Sequence, residues 1–392
     1  MENGQRDRLW TRTFSTVLVS HLIFYFGFYM LAPTLPLYVK AQGGTSAHIG
    51  FVSTGFCIGC VIMRFLVPFL QERYSRKILM RIGIIISLAM AALYAAVSSI
   101  VGIIALRTMQ GVGVGMVTAF AGAIAADAAP DSRQGEGIGY FGMGTTAAVA
   151  LSPALGLIVM NRLGFTPLFI CSALVLVLSA VGWSTIEIPQ PRRRAADAPK
   201  ETIWNKIYDT KILFQTILLL LYGVARGTQQ SFLTVMATEE GLSMITIYSV
   251  FETVSSFLLR FVTRKSFDRY GPGPMIFFGG LASAVAFLLF SVVRSNAVLL
   301  IAAVCNGVAM GAMVPTFQVW LMSDLGPERR TLGNALYFNI CDIGTAVGAG
   351  IMGIVARSVN YHGVFRIIMF VMIAYLAIFL LGSAARRRKT AG

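Results

Sequence analysis

Long apolar runs, separated by short polar segments, fill the chain from end to end. Twelve of them reach the roughly 20 residues that a helix needs to cross a bilayer. They are residues 14–39, 47–71, 77–98, 100–128, 135–160, 164–186, 211–238, 244–264, 273–293, 297–322, 331–356 and 361–383, numbered here as spans 1 to 12. Because backbone polar groups in lipid must be satisfied within the segment, the pattern predicts an all-α integral membrane protein with twelve transmembrane helices.

The chain repeats itself at an offset of 196 residues. The block "MRFLVPFLQERYSRK" at residues 63–77 has a counterpart, "LRFVTRKSFDRYGPG", at residues 259–273, which places Arg64 opposite Arg260. The same offset aligns glycines of spans 4 and 5 with glycines of spans 10 and 11: Gly111, Gly115 and Gly137 with Gly307, Gly311 and Gly333. One constant offset at several places indicates an internal duplication.

The duplication predicts two six-span halves, residues 1–188 and 212–392, joined by a cytoplasmic linker, residues 189–211, that is rich in proline and charge. Six is an even number, so both halves have the same orientation and a pseudo-two-fold axis runs along the membrane normal. The twelve helices are therefore expected to form two parallel six-helix repeats around a central cavity.

Composition and charge agree with a membrane location. Hydrophobic residues make up 56% of the chain and charged residues 12%, whereas soluble domains carry about a quarter charged residues. With cytoplasmic termini, the cytoplasmic segments together with the span ends next to them hold 23 of the 32 Lys and Arg residues, and the outer loops hold four. This positive-inside bias predicts a multi-pass protein of the cell membrane with both termini in the cytoplasm. It also accounts for the net charge of +15 without a nucleic-acid partner.

Three motifs carry a resemblance to a known family. The loop after span 2, residues 68–77, is similar to the pattern G-x-L-x-D-R-x-G-R-K, with Pro68 and Ser75 in place of the glycines and Glu72 in place of Asp. Span 4 contains "LRTMQGVGVG", similar to R-x-x-Q-G-x-G, and span 5 contains "SPALG" at residues 152–156, similar to G-P-x-x-G. Over essentially its whole length the chain resembles the major facilitator superfamily, and within it the drug:proton antiporter branch.

The resemblance implies a secondary active transporter, not an enzyme, that moves a small organic solute by alternating access. Proton-coupled efflux is the leading hypothesis, with the proton gradient as the energy source, no cofactor, no metal, and a monomer in the lipid bilayer. The alternative is a uniporter or a proton-coupled importer of a sugar-like or metabolite substrate. The alternative of another class is a non-transporting membrane sensor or lipid-handling protein.

Charged residues at the inner ends of spans 2, 4, 8 and 10 are candidates for gating. A short loop with opposite charges lets the inner helix ends of one half dock and release. Asp127 is placed to pair with Arg76 or Arg73, as in the family, and Asp324 and Arg269 are the expected counterparts in the second half. The alternative is charge that only determines topology. The gating candidates are Glu72, Arg73, Arg76, Asp127, Asp268, Arg269 and Asp324.

Small residues and a proline in spans 4 and 5 predict close helix packing. Gly111, Gly115 and Gly156 permit near approach of neighbouring helices. Pro153 removes a backbone donor and can kink span 5. These positions are interpreted as structural.

Ionisable residues at membrane depth are costly and mark candidate functional positions. The proton-coupling candidates are Asp342, Glu252, Arg107 and His21. Either acid could instead be a permanent partner of Arg226 or Arg366. Arg107 could equally serve structural pairing, and His21 could be a structural hydrogen bonder.

Polar residues at helical spacing predict a substrate cavity. Span 7 carries a polar stripe, and span 1 carries a ladder of His21, Tyr25 and Tyr29 at i, i+4 and i+8. The alternative for the stripe is hydrogen bonding between helices. The cavity candidates are Tyr25, Tyr29, Gln110, Tyr222, Arg226, Gln229, Gln230 and Asn339.

Arg64 and Arg260 occupy the same place near the inner ends of spans 2 and 8. Their repetition predicts a shared structural task, either snorkelling to the interface or docking of the loop that follows, rather than substrate contact. The five cysteines lie in apolar spans without the spacing of a metal site, so we interpret them as packing residues.

Overall fold

Helices account for nearly all of the structure. The computed structural model describes residues 9–130, 133–186, 210–325 and 330–391. Its helices are α1 Arg12–Tyr29, α2 Thr34–Ala41, α3 Ser46–Gln71, α4 Arg76–Leu93, α5 Ile100–Ala128, α6 Gln134–Leu163, α7 Phe165–Ser184, α8 Thr210–Glu239, α9 Ile245–Tyr270, α10 Gly273–Val292, α11 Asn296–Leu325 and α12 Arg330–Ala391. Within these ranges no residue is in a β-strand, so the all-α prediction is confirmed.

The described residues supply the twelve predicted crossings. Ten helical segments are long and apolar enough to span a membrane, and one of them, residues 335–384, is too long for a single crossing. Asn360, at φ 56° and ψ 178°, interrupts this segment and divides α12 into spans 11 and 12. The remaining crossing is α4, whose 18 residues rise about 27 Å and begin with the basic pair Arg76 and Lys77.

The first predicted span is two helices rather than one. α1 ends at Tyr29 and α2 begins at Thr34, with Pro33 as its first cap residue. Proline lacks an N–H and its ring clashes with the preceding turn, so a continuous helix cannot pass through this position without cost. Together, α1 and α2 still make up one candidate membrane span of 30 residues, Arg12–Ala41.

Local chemistry sets most of the other helix ends. The Ser75 hydroxyl accepts a hydrogen bond from the Ile78 N–H at the start of α4, and Ser99 does the same for Gly102 in α5. These caps satisfy N–H groups that the first turn leaves without partners. Gly164, at φ 92°, makes the sharp turn between α6 and α7.

The two halves meet along two helix pairs. α3 of the first half packs against α12 of the second, and α6 packs against α9. The 196-residue offset converts one pair into the other, because it places α3 on α9 and α6 on the first part of α12. Such an exchange is what a two-fold relation between the halves requires.

Close contacts inside each half repeat at the same offset. A Cβ added to Gly111 would meet the backbone carbonyl of Phe56, and a Cβ added to Gly307 would meet that of Glu252. The contact partners are themselves 196 residues apart. The duplicated glycines therefore bring the same two backbones together in both repeats, as helix packing in lipid favours.

One side of the bundle is held closed by contacts between the halves. We call the side at which α1 begins and α12 ends the termini side, and the other the opposite side. On the opposite side Lys40 pairs with Glu239, and Arg357 donates to the Thr45 hydroxyl at 3.1 Å. Gly50 lies against the carbonyl of Ala349, which leaves no space for a side chain between α3 and α12.

At the termini side, three polar contacts each join two helices of the same half. Arg76 pairs with Asp127 at 3.1 Å in the first half, and Gln215 donates to Asp324 in the second. Arg81 donates to the carbonyl of Ser184 at 3.2 Å. The halves are therefore fastened to each other on the opposite side and in the middle of the bundle.

Candidate functional site

An ion pair crosses from one half to the other near the middle of the bundle. Arg64 of α3 donates from Nη1 to the carboxylate of Asp342 in α12, 278 positions away in sequence. Its Nη2 lies 3.5 Å from the hydroxyl of Thr118, and its guanidinium lies 5.5 Å from the ring centre of Phe338. We call this contact the interhalf bridge.

The second arginine of the duplicated block makes the equivalent contact. Arg260 of α9 donates from Nη1 to the hydroxyl of Thr146 in α6, at 3.2 Å. Thr146 and Asp342 are 196 residues apart, so the two contacts are related by the repeat. One arginine meets a carboxylate, and the other meets a neutral hydroxyl.

These contacts correct two expectations. Arg64 and Arg260 neither snorkel to the interface nor dock the loops that follow them, because both side chains reach across to the other half. Asp342 has Arg64 as its partner, not Arg226 or Arg366. The spacing of the chain placed the arginines near the inner helix ends, but a guanidinium on a long side chain reaches a neighbouring helix closer to the middle of the bundle.

Arg107 is buried in the first half and held by neutral groups. Its Nη1 donates to the side-chain oxygen of Gln110 at 2.6 Å, and Tyr94 donates to the same oxygen at 3.3 Å. The guanidinium lies 4.5 Å from the ring centre of Phe56 and 5.2 Å from that of Phe28. Cation–π contacts of this kind stabilise a desolvated cation. Gln110 is thus a fully buried partner of Arg107.

Glu252 forms a polar cluster within the second half. Asn306 and Tyr248 both donate to its carboxylate, and the Gln229 amide donates to the Tyr248 hydroxyl at 3.4 Å. Asn306 is the repeat equivalent of Gln110, so the two halves place an amide at the same level. In the first half the amide oxygen of Gln110 accepts a hydrogen bond from a cation, and in the second the amide nitrogen of Asn306 donates to a carboxylate.

Tyrosines surround Arg226 where the halves meet. Arg226 of α8 interacts electrostatically with Tyr29 of α1, Tyr222 of its own helix and Tyr337 of α12. Tyr29 is also within electrostatic reach of Asp342. The bridge and the Arg226 group are therefore parts of one interior cluster.

The predicted ladder on α1 forms a continuous stack of rings. The ring centres of His21 and Tyr25 are 4.5 Å apart, and those of Tyr25 and Tyr29 are 5.6 Å apart. His21 also stacks on Phe141 at 4.0 Å, and its Nε2 lies 3.1 Å from the hydroxyl of Thr145. Tyr25 and Tyr29, at the far end of the ladder, lie within electrostatic range of Asp342 in the interior cluster.

The other cavity candidates divide into buried and exposed positions. Asn339 is buried and lies about one helical turn before Asp342 in α12. Its Oδ1 has no hydrogen-bond partner among the described residues. Gln230 is exposed at the surface of α8, while its neighbour Gln229 is buried with Tyr248. The polar stripe predicted on span 7 thus ends at Gln229 on the buried face.

The gating candidates form one pair of the predicted kind. The pair is Arg76–Asp127, which links the first turn of α4 to the last turn of α5. Glu72 and Arg73 are exposed at the end of α3. The side chain of Asp268 lies outside the described part of the structure.

The expected pairing in the second half is wrong. Asp324 accepts from Gln215 of α8, and Arg269 lies 5.1 Å from the ring centre of its neighbour Tyr270. The repeat explains the difference, because the position equivalent to Arg76 is Pro272, which carries no charge. An amide from α8 takes the place of the missing arginine, and nothing in the loop motif indicated Gln215.

The small residues of spans 4 and 5 lie at close helix contacts. A Cβ on Gly115 would meet the backbone of Cys60, and a Cβ on Gly156 would meet the carbonyl of Met30. Pro153 lies inside α6, three residues before Gly156. The backbone of α6 at Gly156 is therefore in direct contact with the backbone at the end of α1.

The fold and the interior cluster together define a class. Two repeated six-helix halves meet around buried ionisable side chains, with one side of the interface closed. This is the architecture of a secondary transporter, in which repeats move against each other around a site near the midplane. Groups of three or more His, Cys, Asp or Glu residues with metal-binding geometry are absent from the described residues.

Comparison with known proteins identifies the family. The model of the Major Facilitator Superfamily matches residues 17–349, with a further match over residues 267–392. The chain belongs to this superfamily, as the sequence motifs predicted, and its family and relatives are transporters, not enzymes.

Similar curated proteins cover almost the whole chain. The multidrug resistance protein MdtG of Citrobacter koseri is 24% identical, over 97% of this chain and 97% of that protein. The multidrug resistance efflux pump PmrA of Streptococcus pneumoniae is 24% identical, over 86% and 87%. An uncharacterised transporter of the same type, MJ1560 of Methanocaldococcus jannaschii, is 21% identical, over 94% and 97%.

Solved structures share the fold at lower identity. A mutant of the nucleoside transporter NupG superposes with a TM-score of 0.81 at 14% identity, over 94% of this chain and 99% of that one. A POT family transporter in complex with a thioalcohol-conjugated peptide gives a TM-score of 0.79 at 11% identity, over 96% of both chains. The twelve-helix arrangement is thus that of known transporters.

Proposed function

We propose that this transporter exports a small organic solute across the cell membrane in exchange for protons. It works by alternating access, as a monomer, with both termini in the cytoplasm. The span 5 motif and the efflux functions named for the relatives MdtG and PmrA support export. The observation that carries the coupling proposal is the interhalf bridge between Arg64 and Asp342.

The bridge suits proton coupling because it connects the two bodies that must move. A protonated Asp342 loses the charge that attracts Arg64, so protonation weakens the contact between α3 and α12. Only a group whose interaction differs between two conformations can shift their equilibrium. Asp342 meets this condition, since its partner belongs to the other half.

Glu252 meets the condition less well. Its hydrogen bonds to Asn306 and Tyr248 join α9 and α11, which both belong to the second half. Protonation of Glu252 therefore changes contacts within one half. We assign the coupling role to Asp342 and a positioning role inside the second half to Glu252.

Transport by the purified full chain in proteoliposomes tests this function. An imposed pH gradient should drive uphill movement of a fluorescent organic dye, with rhodamine 6G and fluorescein as two probes of opposite charge. Asp342→Asn, which mimics the protonated acid, should abolish uphill movement but retain downhill counterflow. Glu252→Gln is the matched control and should keep pH-driven movement.

The alternatives give different results. A uniporter would show counterflow in the unsubstituted protein with no dependence on the pH gradient. A sensor would bind a dye without moving it. Retention of uphill transport by Asp342→Asn would refute the assignment of Asp342.

A further inference from the structure

Positive charge exceeds negative charge in the interior of the bundle. Away from the helix ends, the described residues inside the bundle include four arginines, Arg64, Arg107, Arg226 and Arg260. The acids at the same depth are Asp342 and Glu252. Because an ionised group inside the membrane is costly unless it is paired, the excess needs a physical explanation.

Two of the four arginines have sufficient partners in the protein. Arg64 is neutralised by Asp342, and Arg107 lies between two aromatic rings with Gln110 at 2.6 Å. Glu252 is within electrostatic reach of Arg226 but gives its hydrogen bonds to an amide and a tyrosine. Neither Arg226 nor Arg260 forms an ion pair among the described residues.

The internal repeat shows what Arg260 lacks. Its equivalent, Arg64, faces a carboxylate, whereas Arg260 faces Thr146 at the position equivalent to Asp342. The Thr146 hydroxyl donates its proton to the carbonyl of Gly142 at 2.8 Å, so toward Arg260 it acts as an acceptor without a negative charge. The Nε of Arg260 is buried and has no hydrogen-bond partner within the described part of the chain.

Arg226 and Arg260 share a tyrosine neighbour. Both Arg226 and Arg260 interact electrostatically with Tyr337 of α12. Tyr29 and Tyr222 stand close to Arg226 as well. The region around Tyr337, between α8, α9 and α12, therefore holds two guanidinium groups that have no ion-pair partner among the described residues.

We infer that this region binds an aromatic organic anion whose carboxylate or sulfonate takes the place of the acid missing at Thr146. Arg260 donates to the anionic group from Nε, Arg226 supplies the second positive charge, and the tyrosine rings pack on the aromatic body. Charge-assisted hydrogen bonds from arginine to an oxyanion are about twice as strong as neutral ones. The inference rests on the proposed function in one respect, that the bound anion is the transported solute.

A charge placed at Thr146 tests the inference without removing an arginine. Thr146→Asp supplies the carboxylate that Arg64 already has in the equivalent place, so it competes with the ligand for Arg260. Thr146→Asn is the matched control of the same shape without charge. Arg260→Gln removes the other member of the contact and serves as a second variant if Thr146→Asp does not fold.

Binding is measured by dye anisotropy with the purified full chain. The probes are fluorescein, a xanthene dye with a carboxylate, and rhodamine 6G, a cationic dye with the same ring system. Fluorescein should bind more tightly than rhodamine 6G. Thr146→Asp and Arg260→Gln should weaken fluorescein binding by about 10- to 100-fold, the loss expected for one charge-assisted contact. Thr146→Asn changes the side chain without adding charge, so it should weaken fluorescein binding less than Thr146→Asp does, and equal losses in the two variants would contradict the role of the charge.

Each outcome separates this inference from the proposed function. Fluorescein binding that Thr146→Asp abolishes supports the anion site, even if proteoliposomes show no pH-driven transport and the proposed function fails. Preferential binding and pH-driven export of rhodamine 6G would overturn the anion site while the exporter stands. Full competition by sodium chloride at millimolar concentration would reduce the site to one for inorganic anions and overturn the inference.

Discussion

Removing the interhalf bridge one partner at a time should reveal how strongly it couples the two halves. The variants are Arg64→Gln, Asp342→Asn and the double variant. Two unit charges about 4 Å apart attract by about 4 kcal/mol at an effective dielectric constant of about 20. The side chains are 11% and 22% exposed, so solvent screens part of this attraction. We therefore expect a coupling energy of about 2 kcal/mol, or roughly 30-fold in an equilibrium constant.

Free energies of unfolding in mixed detergent micelles, followed by tryptophan fluorescence during SDS titration, measure this coupling. Each single variant should destabilise the protein by about 2–3 kcal/mol, because it leaves a buried charge without its partner. The double variant should be about 2 kcal/mol more stable than the sum of the singles predicts. A coupling energy below about 0.5 kcal/mol would contradict the strength that we assign to the bridge.

The repeat provides a control for this cycle. Arg260→Gln and Thr146→Val remove the equivalent contact, in which the acceptor is a neutral hydroxyl at 3.2 Å. Because this acceptor carries no charge, the attraction between two unit charges that acts in the bridge is absent at this site. The coupling at this second site should therefore be smaller than at the bridge.

Two further predictions concern helix packing and acidity. Gly111→Val should prevent folding, because its side chain would overlap the backbone carbonyl of Phe56. Gly122→Ala, in the same helix, should stabilise the protein by about 0.5–1 kcal/mol, because an added Cβ there meets no atom of a neighbouring element within 4 Å. The yield of monodisperse protein and its thermal midpoint compare the two variants. The hydrogen bond from His362 at 2.9 Å lowers the pKa of Glu240 below its ordinary value of 4.5, so the stability that this pair contributes is present above pH about 4.5 and lost as pH falls through the lowered pKa. A thermal-midpoint profile from pH 6 to 3 should show this acid-dependent loss in the unsubstituted protein and not in Glu240→Gln; identical profiles would contradict it.

The helices were predictable because their causes are local. A run of about 20 apolar residues must be helical in lipid wherever it lies in the chain, and serine caps and glycine turns mark its ends. The break at Pro33 was the exception, since span 1 was predicted as one helix although it contains two prolines. The loop charges predict the orientation in the membrane from a count of residues and not from contacts, and that orientation stays a prediction.

The candidate residues were predictable as types but not as partners. Arg107, Glu252 and Asp342 could be recognised because an ionisable group inside an apolar run is conspicuous. Their neighbours could not, since Asp342 and Arg64 are separated by 278 positions. One signal was present: the offset of 196 aligns Asp342 with Thr146 as it aligns Arg64 with Arg260. It shows which positions are equivalent, but not that each arginine reaches across to the other half.

The sequence by itself determined the membrane location, the twelve helices, the duplicated halves and the superfamily. These follow from hydrophobic length, charge distribution and short motifs, all of which act over a few turns of the chain. Only the tertiary structure decided that the duplicated arginines face each other's halves, that one meets an acid and the other does not, and that Gln215 replaces an arginine beside Asp324. The physical reason is that a guanidinium is neutralised by whatever lies within a few ångströms of it, and helix packing alone determines which residues those are.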